Sequence, residues 1–77
     1  MNEDFSSTPR TFEETEKILN RNKKFMGDYN PQPMLNAIKE VIKDKEYYEI
    51  YIFDDLCGVD IDADNEIIEV SLDGTVE

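Results

Sequence analysis

Six residues, Val59-Asp60-Ile61-Asp62-Ala63-Asp64, alternate strictly between apolar and acidic. Side chains that repeat every second residue share one face of a strand, so this run specifies a strand with one dry face and one charged face. A strand of that kind needs partners on both edges and a cover over its apolar side. The residues around it supply candidates for each.

Before it, Tyr47-Tyr48-Glu49-Ile50-Tyr51-Ile52-Phe53 is β-branched and aromatic, which reads as a strand with both faces partly covered. Asp54-Asp55-Leu56-Cys57-Gly58 reads as a loop. After it, Asp64-Asn65 is a candidate two-residue turn. A third strand then runs over 66–72, where Ile68, Val70 and Leu72 alternate with Glu69, Ser71 and Asp73. Asp73-Gly74 ends it, and the tail beyond is expected to fray.

The cover comes from the first half of the chain, where the period changes from 2 to 3.6. The spacing predicts a helix over 11–26. Thr11 and Glu14 form a Thr-x-x-Glu capping box, and acids lead while bases trail along the helix dipole. Phe12, Thr15, Ile18, Leu19, Asn22, Phe25 and Met26 make its inward side, and Gly27 is the expected stop. A second helix is expected from Pro31, with Asn30 as cap, to about Lys45; its stripe is Met34, Leu35, Ile38, Val41 and Ile42. The expectation is an α+β fold, with two N-terminal helices packed on one face of a three-stranded antiparallel β-meander (ααβββ). Residues 1–10 read as a flexible N-terminal arm and residues 11–77 as a single α+β domain.

If Ile50, Ile52, Val59, Ile61, Ala63, Ile68, Val70 and Leu72 meet the helices, the opposite face is determined. It carries Glu49, Tyr51 and Phe53, then Asp60, Asp62 and Asp64, then Ile67, Glu69, Ser71 and Asp73. Here composition enters. The formal charge of the 77 residues is −11, and residues 46–77 hold eleven acids and neither Lys nor Arg. The first 45 residues hold eight acids and eight bases. An ordinary solvated face mixes signs, and like charges opposed across strands cost about 0.2–1 kcal/mol per pair. The segregation therefore favours a functional surface over a merely solvated one, with the helix lysines expected on the far side of the molecule.

Several functions fit poorly. A chain this negative repels nucleic acid and anionic membranes, because phosphate binding needs Lys and Arg. Asp60-x-Asp62-x-Asp64 matches the first, third and fifth positions of an EF-hand loop, but Asn65 stands where Gly is required and Ser71 where a bidentate Glu is required. The chain has no His, no Gly-rich phosphate loop, and a lone Cys57 in an acidic loop that disfavours a nucleophilic thiolate. The expectation is a protein that is not an enzyme and needs no cofactor or metal. No apolar run reaches the about 18 residues of a membrane span, and the N-terminus lacks a secretory signal pattern, so a cytoplasmic home (host cytoplasm if viral) is expected.

What remains is a surface suited to a basic partner, such as a nucleic-acid-binding protein or nuclease. The expected binding residues are Asp60, Asp62, Asp64, Glu69 and Glu49, with Tyr51 as an aromatic contact and Asp54 and Asp55 beside them. In charge and size the chain is similar to the small acidic nucleic-acid mimics that phages use against restriction or CRISPR enzymes. That similarity implies an inhibitor presenting carboxylates where phosphates would sit. An antitoxin or immunity protein neutralising a basic toxin rests on nearly the same physics. A non-enzymatic regulatory adaptor, binding through a free strand edge or the helix face, is the third alternative.

Overall fold

A computed structural model describes residues 7–77 and shows the ααβββ order. Helix α1 spans Phe12–Lys23, α2 Gln32–Ile42, and the strands are β1 Glu49–Ile52, β2 Gly58–Ala63 and β3 Glu66–Ser71. The sheet is antiparallel in the order β1-β2-β3, so the alternating strand is the central one. No described helix is long and apolar enough to cross a membrane.

Local chemistry sets the helix boundaries. The capping box closes as the sequence predicts: the Glu14 N–H donates to Thr11 Oγ1 at 3.2 Å, and the Thr11 N–H donates to Glu14 Oε1 at 3.0 Å. The far end departs from expectation. α1 stops at Lys23, and Phe25 and Met26 lie in a turn, where Phe25 is 80% exposed. The Phe25 and Met26 N–H groups both donate to the Asn22 carbonyl, which winds the chain tighter and carries these side chains off the inward stripe.

α2 also begins differently. Pro31 is its cap residue and Pro33 its second position, while the Asn30 side chain accepts from the Gln32 N–H at 3.2 Å. The helix ends at Ile42, short of the expected Lys45.

The inner face is as the alternation predicts. Ile50, Ile52, Val59, Ile61, Ala63 and Val70 are buried against Ile18, Leu19, Met34, Leu35 and Ile38 of the helices, with Ile68 and Leu72 packed at the margin. Each fully buried aliphatic side chain contributes about 1.5–3 kcal/mol relative to exposure, which is the main stabilisation available to so short a chain. Contacts of α1 with β1, and of α2 with β3, spread the two helices across the sheet. Tyr48 joins the layers: its hydroxyl accepts from the Phe12 N–H at 3.0 Å, satisfying a donor of the first helical turn.

Both sheet edges are partly occupied. Arg10 pairs with Ile50 beside β1, through bonds of 2.9 and 3.1 Å. The residues of the expected arm before Ser7 lie outside the described ones, but its last residue is part of the sheet. The C-terminal tail does not fray as expected. Gly74, at φ +91, reverses the chain so that Thr75–Glu77 returns along β3, with Glu69 and Glu77 exchanging bonds of 2.8 and 3.1 Å.

Candidate functional site

The uncovered face of the sheet is built by three cross-strand rows. Phe53, Gly58 and Ser71 form the row at one end, where the Phe53 N–H donates to the Gly58 carbonyl and Gly58 pairs with Ser71. Tyr51, Asp60 and Glu69 form the middle row, and Glu49, Asp62 and Ile67 the third. Tyr47, expected in the first strand, lies instead in the bend just before β1, with its hydroxyl near the Glu49 carboxylate. Aromatic rings therefore line the β1 edge, carboxylates run down the centre, and Ile67 stands at the β3 edge.

Each row has a local cause. The ring of Phe53 covers Gly58 closely enough that a Cβ there would meet it at 2.8 Å, so glycine makes room for the aromatic. The acids of the other two rows follow from strand parity alone, because their neighbours one residue away are in the core. Registration then sets carboxylate against carboxylate, Glu49 opposite Asp62 and Asp60 opposite Glu69. Among the described residues no Lys or Arg ion pair reaches any of these four.

The expected site residues divide into two groups. Glu49, Tyr51, Asp60, Asp62 and Glu69 come together on the open face, all half-buried. Asp64 leaves their line. With Asn65 it forms the β2–β3 turn, at φ 52 and 65, and its carboxylate pairs with Lys45 Nζ at 3.2 Å. Lys45 is therefore a base at the acidic end of the sheet, where the expected two-sided charge arrangement had none. Hydrogen bonding to Asp64 holds its ammonium above the usual lysine range.

Asp54 and Asp55 sit at the opposite end of the β1–β2 hairpin, in the loop beyond Phe53. Asp55 is partly engaged there, accepting from the Cys57 N–H at 3.0 Å. The EF-hand geometry is absent, because Asp60 and Asp62 lie on a strand and only Asp64 is in a turn. No three carboxylates or thiols among the described residues converge on a common point.

Two residues outside the expected set belong to this face. Tyr47 and Ile67 are each 68% exposed, more than the half-buried Tyr51 and Phe53 that share this face. The signal for Tyr47 was available in its spacing, two residues before Glu49 and four before Tyr51. Ile67 fell on the charged side by parity, but nothing in its type marked it as a contact. The Glu49 charge, with lesser desolvation, holds the Tyr47 hydroxyl above its usual range; for Tyr51 desolvation comes first and Glu49 second. Asp62 adds to both, so the two phenols share one carboxylate neighbourhood. Of the remaining aromatics, Tyr48 faces the helices and Phe53 packs on Gly58, which are structural positions.

The chain matches no protein-family model, no characterised protein and no solved structure with which it was compared.

Proposed function

We propose that this chain is a small acidic inhibitor that occupies the basic nucleic-acid-binding site of a partner protein, its carboxylates standing in for phosphates. One observation carries the reading: two adjacent rows of the open face set acid against acid, with no base among them, on a chain whose first 45 residues are charge-balanced. Carboxylates two residues apart on a strand are about 6.6 Å apart, close to the phosphate spacing along an extended nucleic-acid strand. Such a surface is costly to maintain in the free protein and gains when a positive surface covers it. Long-range attraction of the −11 chain speeds encounter and makes binding fall with salt.

Partner capture tests it. Wild-type chain and the Asp60→Asn/Asp62→Asn/Glu69→Gln variant are immobilised and exposed to the same cell lysate. The expected result is a basic nucleic-acid-binding protein retained by wild type alone, released by about 0.5 M salt and displaced by added duplex DNA. Equal retention of the same proteins by the variant overturns the reading.

A further inference from the structure

We propose that the open face selects arginine over lysine in its partner, with Tyr47 and Tyr51 bracketing Glu49 as a clamp for one guanidinium. The inference rests on the charge-mimicry reading and adds to it the chemistry of the partner's basic side chains.

Charge alone does not account for the composition of this face. A row of carboxylates meets lysine and arginine alike, and needs no ring beside it. Glu49 and Tyr51 nevertheless stand on the same side of β1 at a spacing of about 6.6 Å, and Tyr47, in the bend just before the strand, brings its hydroxyl to the same Glu49 carboxylate. Tyr47 is 68% exposed and contributes nothing to the core. Asp62 stands directly across from Glu49, and Asp60 across from Tyr51, so a cation that settles on Glu49 meets a second carboxylate within the same row.

Guanidinium suits this arrangement in two ways that ammonium does not. Its planar fork donates two parallel N–H bonds to one carboxylate, and its flat face stacks on an aromatic ring while those bonds are made. An ammonium is a compact, strongly hydrated point charge, with no flat face to offer a ring. Ile67, exposed across Asp62, gives the aliphatic stem of such an arginine an apolar surface. The raised titration of both phenols agrees with the geometry, since it sets the two rings beside the same carboxylates.

The full chain can be titrated with two peptides of equal length and charge, one carrying eight arginines and the other eight lysines, each separated by glycine. Wild type is expected to bind the arginine peptide about tenfold more tightly at physiological salt. Tyr47→Leu/Tyr51→Leu is expected to bring the ratio to within about twofold, chiefly by weakening the arginine peptide. Tyr47→Phe/Tyr51→Phe, which keeps both ring faces, is expected to preserve the preference and controls for folding. Equal binding of both peptides by wild type overturns the clamp while leaving charge mimicry in place. So does an unchanged ratio in the leucine variant. Failure of wild type to bind either peptide overturns both readings together.

Discussion

Tyr29 shows how much one side chain holds in place. Its hydroxyl donates to the Leu56 carbonyl at 2.6 Å, inside the core. Leu56 is a branched residue at φ 62, a conformation that costs about 1–3 kcal/mol and persists only where surrounding contacts impose it. Burial of its side chain and the bond from Tyr29 supply that constraint, and thereby set the course of the loop carrying Asp54 and Asp55. Burial, with Cys57 and Asp55 adding, pushes the Tyr29 hydroxyl from 10.0 up to about 12. A pKa raised on folding gives stability that is complete below the unfolded value and lost as pH rises through the folded one. The protein should therefore lose about 2–3 kcal/mol between pH 10 and 12 through this residue. Tyr29→Phe forfeits about 1 kcal/mol at neutral pH with the missing bond, but has no such loss. Urea unfolding of the two proteins should give stability curves that cross within that window. Tyr47, Tyr51 and Lys45 shift in the same direction in both, so the comparison isolates Tyr29. None of this was readable from the sequence, where Tyr29 is one residue in a turn and Leu56 one residue in a loop. Their bond spans 27 positions, and nothing local encodes it.

Elements were legible where one local rule decided them, and obscure where two competed. The capping box, the central strand and the Asp64-Asn65 turn each follow from a few adjacent residues. At the end of α1 the periodicity of Phe25 and Met26 argued for continuation, while Gly27 argued for a stop. Termination won three residues early, because the last turn tightens onto the Asn22 carbonyl. At the C-terminus the same glycine signal that ends β3 also turns the chain back, and the sequence does not distinguish stopping from reversing. Both turns give testable consequences. Asp64 and Asn65 both hold positive φ, the pattern of a type I′ hairpin, in which Asp-Gly is favoured. Asn65→Gly should raise stability by about 0.5 kcal/mol, read as a higher urea midpoint at unchanged slope. Gly74→Ala should have the opposite effect. Its φ of +91 is poorly suited to a side chain, and an added Cβ would lie 3.0 Å from the Pro33 carbonyl oxygen. A loss of about 1–2 kcal/mol is expected, with faster amide exchange at Glu69 and Ser71 as the returning tail detaches.

At the scale of the whole molecule, the proposed function has the open face set stability against association. The parity of the sheet was written in the alternation of 59–64, so the facing of Asp60, Asp62 and Glu69 was legible. The pairing of acid with acid was not, because it depends on strand register, which alternation alone does not fix. Glu49 opposite Asp62 and Asp60 opposite Glu69 should each destabilise the free protein by about 0.2–1 kcal/mol at low ionic strength. Asp60→Asn and Glu69→Gln should therefore raise the thermal midpoint in dilute buffer. That gain should shrink toward zero near 1 M salt, where the Debye length falls to about 3 Å and the wild-type repulsion is screened. The same variants are expected to lose the basic partner, so stability and binding would move in opposite directions. Acids that served only to solvate or brace the sheet would behave otherwise. Their removal would leave the midpoint unchanged or lower it, and binding would not follow. A thermal scan at two salt concentrations, run beside the capture experiment, separates the two cases. A lower midpoint for Asp60→Asn in dilute buffer would show that the row contributes to the fold, and would remove the physical reason for assigning it to a partner.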